Sequence, residues 1–235
     1  MEISNYVVRF CKDDTVLSKT IWESIEESAE LLSLYYIPIS CFIVCFTLKT
    51  CIQQETCVSS VNKGLPKTLT KLYQKAMRAI LWNHHPACKG KIIRPEYLNS
   101  NEFLPEEVVD TLKELKRLAK NGIEKGELLF EFKTKETLEM VENCGLLNRL
   151  PNDAQYCFTH LTIQEFLAAW EVVDKTSDPE DVEHFLESHI NDSNWHLIIQ
   201  FFAGLLRDKI KERELSENMF KEMYKRFVSL KFLFI

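Results

Sequence analysis

Residues 156–173 read YCFTHLTIQEFLAAWEVV, and they predict a short strand that runs into a helix. Aromatic side chains alternate onto one face of the strand, and that face ends at His160. Thr162 and Glu165 have the T-x-x-E spacing of a capping box, which predicts that Thr162 caps the helix. The corner therefore carries one ionisable ring, two residues before the predicted cap.

Apolar residues on both sides of this cap extend the pattern. Leu161 before the cap and Phe166 at the fourth helical position have the spacing of a hydrophobic staple. The helix then repeats apolar residues along one face. These residues are Ile163, Phe166, Leu167, Trp170 and Val173. The start and the buried face of this helix are thus both specified locally.

The first third of the chain is predicted to be helical. An amphipathic pattern covers Val16 to Leu34, and Pro38 is suited to open the next helix because a first-turn proline loses no hydrogen bond. That helix, to about Gln53, is apolar on all sides and should be central. One further helix face comprises Leu69, Leu72, Tyr73, Ala76, Met77, Ile80 and Leu81. The break around Pro86 predicts a first boundary.

The middle of the chain alternates between helices and short strands. In order, the elements are a helix over 104–126, a strand over 127–132, a helix over 134–150 and a strand over 154–160. Pro105 is placed to start the first of these helices, Gly126 to end it and Thr134 to cap the second. Together with the opening stretch, this is the order of a winged-helix module with small wings.

The last third returns to helices, since Asp178 and Pro179 predict a capped helix start and residues 194–206 predict a buried helix. The sequence therefore predicts a mainly α protein. Its parts are a helical bundle over 1–86, a winged-helix domain with a small β-hairpin over 87–174, and a second helical domain over 175–235.

Composition and charge narrow the classes of function. The chain has 235 residues, of which 46% are hydrophobic, so it can bury a core. Its net charge of −6 disfavours nucleic acid as a partner, because such surfaces are usually basic. The most apolar run, Leu34 to Leu48, is too short for a membrane span and is interrupted by Pro38.

The cysteines and the amino-terminal residues predict an intracellular, reducing environment. The eight cysteines contain no C-x-x-C pair, and the first ten residues lack the basic and apolar regions of a signal peptide. Cys41 and Cys45 lie one turn apart and His84 adjoins His85, but no zinc spacing matches, so no metal is expected. No local signature supports a Cys–His nucleophile.

Four segments, taken together, resemble one protein family. FTHLTIQEFLAAW resembles the winged-helix signature of NOD-like receptors, the NACHT-containing innate immune sensors, and LYYIPISCFIVCFTL resembles the start of their first helical domain. LPKTLTKLYQKAMRAIL resembles the last helix of that domain, and NWHLIIQFFAGLL resembles a helix of the second helical domain. The resemblance implies a first helical domain, a winged helix and a truncated second helical domain.

The nucleotide-binding core of that family is missing from the sequence. No G-x-x-x-x-G-K-[ST] loop occurs, and no Walker B acidic run precedes Pro38. We therefore expect a partial chain that is not an enzyme. Its expected partners are an upstream nucleotide-binding domain, downstream leucine-rich repeats and sister protomers in an activated homo-oligomer, all in the cytoplasm.

The resemblance also implies two nucleotide-contacting residues. In such proteins the winged-helix histidine touches the phosphate end of ADP and a proline of the first helical domain packs on adenine; these positions are His160 and Pro38 here. ADP or ATP is expected only in the complete NACHT module, and this chain alone is expected to bind neither. Read without the resemblance, His160 is a structural histidine and Pro38 a helix starter.

Two other functions fit parts of the pattern. A helical and winged-helix adaptor without nucleotide would keep the packing residues and need neither site residue. A DNA-binding winged helix would read DNA with its second helix. That helix carries Glu136, Glu139 and Glu142 against Lys135 and Arg149, so acid outweighs base where phosphates would lie.

Overall fold

Most of the helices predicted from the sequence are present in the described part of the chain. The computed structural model describes residues 3–12, 14–27, 38–55, 66, 68–132, 134–151, 154–211, 222 and 225. The described residues are mostly helical and include a small sheet, as the sequence predicted. In chain order the elements are α1 (Ile3–Cys11), α2 (Thr15–Glu26), α3 (Pro38–Glu55), α4 (Leu69–His84), α5 (Pro95–Asn99), α6 (Glu106–Lys125), β1 (Phe130–Glu131), α7 (Lys135–Val141), β2 (Leu147–Arg149), β3 (Gln155–Phe158), α8 (Leu161–Lys175), α9 (Pro179–His189) and α10 (His196–Lys211).

The chain divides into two compact units. The first comprises Met1–Thr111 and Lys133–Asn148, and the second comprises Leu112–Phe132 and Arg149–Ile235. The division follows packing rather than chain order, because each unit takes one segment from the middle of the sequence. The domain boundaries at 86 and 174 remain predictions.

In the first unit, α3 packs against α1, α2 and α4. The helix begins at Pro38, as predicted, and Cys41, Cys45 and Cys51 are buried along it. The predicted face of α4 is buried except for Leu69, which is half-buried. The unit is therefore built on the two helices with the strongest apolar patterns, and several cysteines serve as core residues.

The segment after α4 is held to that helix by polar and aromatic contacts. Trp82 stacks on Tyr97 with ring centroids 4.4 Å apart. The buried Arg78 donates to Asn101 Oδ1 at 2.7 Å and to the Leu98 carbonyl at 3.0 Å. Since a buried guanidinium needs such acceptors, these bonds fix the connection between α4 and α6.

In the second unit, α8 packs against α10, and aromatic rings fill the contact. Phe166 meets Phe201 edge-on at 5.1 Å, and Phe185 of α9 lies 4.6 Å from Phe202. Nearly all of α8 from Ile163 to Val173 is buried, well beyond the single predicted face. The helix of the opening stretch is thus the central element of this unit.

The sheet differs from the predicted hairpin because it contains a third strand. Its order is β1-β3-β2, and β1 pairs antiparallel with β3, Phe130 opposite Tyr156. The second strand lies inside the segment predicted as a helix over 134–150. That helix is capped by Thr134 as predicted but ends at Val141.

A glycine turn explains the early end of α7. Gly145 has φ +77°, a backbone conformation that residues with a Cβ rarely adopt. A Cβ there would also lie 2.5 Å from the His84 ring. The chain reverses at this point and the following residues become β2.

Trp82, Trp170 and Trp195 are buried, whereas Trp22 is half-buried. Residues 28–37 of the predicted early helix and of the apolar run lie outside the described residues, as does the apolar ending SLKFLFI at 229–235.

Candidate functional site

The predicted site residue His160 lies at the corner between β3 and α8. Only Thr159 and His160 separate the strand from the helix. On the strand side, Phe158 is buried and meets Phe130 edge-on at 5.5 Å. On the helix side, Phe166 is fully buried. Aromatic packing before and after the corner therefore holds His160 in a defined place.

His160 is itself the N-cap of α8. Its backbone is extended, with φ −158° and ψ 148°, and its Nδ1 accepts a hydrogen bond from the Thr162 backbone N–H at 3.1 Å. The Thr162 hydroxyl oxygen lies 2.8 Å from the same nitrogen. Because Nδ1 accepts, it carries no proton, and the neutral ring holds its proton at Nε2.

The second nitrogen of this ring, Nε2, is not used by the helix cap. His160 is half-buried, and its Nε2 makes no hydrogen bond within the described part of the chain. An Nε2–H group in this state donates one directed hydrogen bond. The corner can therefore present a fixed donor to an acceptor such as a phosphate oxygen.

The predicted capping box and hydrophobic staple are wrong. The helix begins at Leu161, so Thr162 occupies its second position rather than the cap. Leu161 is 46% exposed and cannot act as a staple. The physical reason is that the extended His160 brings its ring to the N–H of residue 162, and the imidazole replaces the threonine hydroxyl as the capping acceptor.

Glu165 consequently has no capping role. Its half-buried carboxyl makes no hydrogen bond or ion pair with any residue that the structure describes. Burial raises the pKa of Glu165 from an ordinary value near 4.5 to about 7. The first two turns of α8 thus hold a carboxyl that titrates near neutral pH.

The neighbouring Gln164 anchors the start of α8. It is 1% exposed, and its Nε2 donates to the Glu127 carbonyl at 3.1 Å. The backbone of α6 approaches closely here, because a Cβ on Gly122 would lie 2.7 Å from both the Gln164 amide and the Phe130 ring. The first turn of α8 therefore cannot shift without disturbing α6.

Two lysines anchor the later part of α8. Lys116 of α6 is 4% exposed, forms an ion pair with Asp174, and places its Nζ 5.2 Å from the centre of the Trp170 ring. Lys209 donates to the carbonyls of Val173 and Thr176 at 2.9 and 3.1 Å. A helix fixed at both ends is a rigid support for the ring at its N-cap.

The second predicted site residue, Pro38, begins α3 as predicted. Its side chain lies outside the described residues, so the contact with adenine stays a prediction. Pro38 belongs to the first unit and His160 to the second.

The sequence patterns did not reveal three residues that matter at this site: Thr162 as a donor to the histidine, Gln164 as an anchor, and Lys116 as an ion-pair partner. The sequence does contain a pattern from which the buried ion pair of Lys116 could have been predicted. Lys116 follows Leu112 and Leu115 on the apolar stripe of α6, where a charge needs a buried partner. For Thr162, the capping-box pattern pointed to a different role.

The part of the chain that the structure describes contains neither a metal-binding group nor a membrane-spanning helix. No group of three or more His, Cys, Asp or Glu side chains there is arranged to hold a metal ion. Among the described helices, none combines the length and the apolar character needed to cross a bilayer.

Comparison with known proteins gives two similarities. Protein NLRC5 of Ictalurus punctatus is 27% identical over 179 residues, which cover 72% of this chain. A NACHT, LRR and PYD domains-containing protein 1 homolog of Danio rerio is 23% identical over 244 aligned positions, which cover 96% of this chain. No family model matches the chain.

These similarities support a distant relationship to the NOD-like receptors. The chain spans 10% and 16% of the lengths of these two curated relatives. It therefore corresponds to a small region of much longer proteins, one of which is named for its NACHT, LRR and PYD domains.

Proposed function

We propose that this chain is the regulatory half of a NACHT-type nucleotide switch in a cytoplasmic innate immune sensor. A P-loop domain upstream of it holds ADP, and His160 contacts the phosphate end of that nucleotide. The observation that carries the proposal is the ring of His160: its Nδ1 is occupied by the helix cap, while Nε2 makes no hydrogen bond to any described residue.

The start of α8 suits an anion for electrostatic reasons as well. The N–H groups of Thr162, Ile163 and Gln164 are directed to His160, to its ring or its carbonyl. Leu161 is the first helical residue, and its N–H has no acceptor among the described residues. Two donors, Nε2–H and this amide, therefore adjoin the positive end of a helix.

In this proposal the chain is a sensor and not a catalyst. Contacts from His160 and Pro38 to ADP hold the module closed, and replacement of ADP by ATP weakens them and favours an open state that forms homo-oligomers. Leucine-rich repeats follow the chain in the complete protein. In this proposal residues 1–86 are the first helical domain, residues 87–174 are the winged-helix domain and residues 175–235 are the second helical domain.

Two substitutions separate the ligand role of His160 from its role as a cap. Asparagine is a good N-cap but lacks the outward Nε2–H, whereas alanine lacks both functions. We expect His160→Asn to keep most of the stability and His160→Ala to lose about 1 kcal/mol, while both variants lose bound ADP.

The test uses the protein at the length at which its own gene produces it. An antibody against residues 134–175 establishes that length by immunoblot and recovers the protein, and chromatography of the released nucleotide gives ADP per protomer. We expect a species several times heavier than this chain, with ADP in the wild type and little in either variant. Full ADP in the His160→Asn variant, or no ADP in the wild type, would contradict the proposal and favour the adaptor function.

A further inference from the structure

His85 and His160 both cap a helix with Nδ1, but their surroundings differ. His85 caps the short helix Pro86–Cys88, and its Nδ1 accepts from the Ala87 N–H at 3.2 Å. His160 caps α8, and its Nδ1 accepts from the Thr162 N–H at 3.1 Å. In both cases the acceptor nitrogen meets the amide two residues further along the chain.

The outer nitrogens of the two rings differ. His85 is 8% exposed, and its Nε2 lies 3.1 Å from the Thr111 hydroxyl, which donates in turn to the Glu107 carbonyl at 2.8 Å. Burial lowers the pKa of His85, consistent with a structural, neutral ring. His160 is half-buried and its Nε2 has no partner among the described residues. Both ring nitrogens of His85 therefore have a hydrogen-bond partner, whereas only Nδ1 of His160 has one among the described residues.

The residue two positions after each histidine also differs. At Ala87 only the backbone can donate, whereas Thr162 brings a hydroxyl to 2.8 Å from Nδ1 in addition to its N–H. A flip of the His160 ring about its Cβ–Cγ bond would replace Nδ1 by a carbon and lose both contacts. Thr162 therefore resists the flip, because the other nitrogen of the ring has no partner among the described residues to hold it.

We propose that Thr162 is a positioning residue for His160: it keeps the ring unflipped, with the proton on Nε2, so that one N–H donor faces an anionic oxygen ligand. The ligand class, a nucleoside diphosphate, rests on the function proposed above. The state of the ring does not rest on it. The hydroxyl contributes to ligand binding without touching the ligand.

The ring is tested first, without any nucleotide. The 235-residue chain is labelled with ring-¹⁵N histidine, and the His160 signals are identified by their loss in His160→Asn. In the wild type at about pH 8 we expect an unprotonated, hydrogen-bonded Nδ1 and a protonated Nε2. Thr162→Val should move the Nδ1 signal toward that of a free acceptor, and Thr162→Ser should restore it. The His85 signals should stay unchanged in both variants.

The ligand is tested second, in the protein at its natural length, by the rate at which bound ADP is released. We expect release about threefold to tenfold faster in Thr162→Val and within about twofold of the wild type in Thr162→Ser, since one charge-assisted contact is misdirected rather than removed. Serine restores the hydroxyl, so a purely steric role for Thr162 would not give this rescue.

The outcomes separate the two proposals. Unchanged His160 signals in Thr162→Val, or equal ADP release from the Val and Ser variants, would overturn the positioning role. A wild-type protein that holds no ADP would overturn the proposed function, whereas the expected ¹⁵N signals would still support the positioned ring.

Discussion

Replacement of Glu165 by glutamine should stabilise the protein at alkaline pH and have little effect in acid. The two side chains have nearly the same shape, but glutamine carries no charge at any pH. Burial raises the pKa of Glu165 from near 4.5 to about 7, and no described residue pairs with its carboxylate. The ionised form is therefore less favourable in the folded protein than in the unfolded chain.

The sign and size follow from proton linkage. Below about pH 4.5 the carboxyl is protonated in both states and contributes nothing. As pH rises toward about 7, the unfolded chain loses a proton that the folded protein keeps, so stability falls, and above that value the loss is complete. At about 1.4 kcal/mol per pKa unit, the upper limit of this loss is about 3.5 kcal/mol. Since the side chain is only half-buried, solvent screening reduces it to about 1–2 kcal/mol.

Urea unfolding followed by circular dichroism at about pH 8 and about pH 4.5 measures this difference. Hydrogen exchange of peptides from 161–175 shows whether the gain lies in α8. Glu187→Gln on α9 is the matched control, because that side chain is exposed and makes no hydrogen bond or ion pair within the described residues; it should change stability by less than about 0.5 kcal/mol. An equal gain for Glu165→Gln at both pH values, or no gain at the higher one, would refute the reasoning.

Two further changes test how α8 is held. Gly122→Ala would bring a Cβ to 2.7 Å from the Gln164 amide, so we expect a net loss of about 1–2 kcal/mol in urea unfolding despite the better helix propensity of alanine; Asn121→Ala, on an exposed neighbouring residue, should not destabilise. Asp174→Asn should cost more than Lys116→Met, about 2–3 against about 1–2 kcal/mol near neutral pH, because it leaves the buried lysine side chain unpaired rather than the aspartate side chain, which is 43% exposed. The reverse order would contradict the assignment of the buried charge.

Much of the helical framework was predictable because its signals are local. The start of α3 at Pro38, the caps of Thr134 and Asp178, and the end of α6 at Gly126 were read from the sequence and appear in the structure. Each depends on a few neighbouring residues: a ring that needs no N–H, a side-chain oxygen that accepts from the first turn, or a residue that tolerates positive φ.

The candidate site was predictable in part. His160 could be selected from the FTHLTIQEFLAAW stretch, and the structure gives it a donor without a partner in the described chain. The sequence did not predict that His160 is the N-cap of α8. Thr162 and His160 both offer an acceptor to the same helix end, Thr162 to an N–H two or three residues after it and His160 to the N–H of residue 162. The backbone path from β3 determines which of the two caps forms.

The sequence by itself determined where most helices begin and which faces are apolar, because periodicity and capping are short-range properties of the chain. Only the tertiary structure decided that residues 147–149 form a strand, that His160 caps α8, and that Lys116 pairs with Asp174. The physical reason is common to all three. Each depends on which hydrogen-bonding or charged group a residue meets once the elements have packed. The third strand and the Lys116–Asp174 pair join residues far apart in the sequence, and the cap depends on the backbone path that β3 sets.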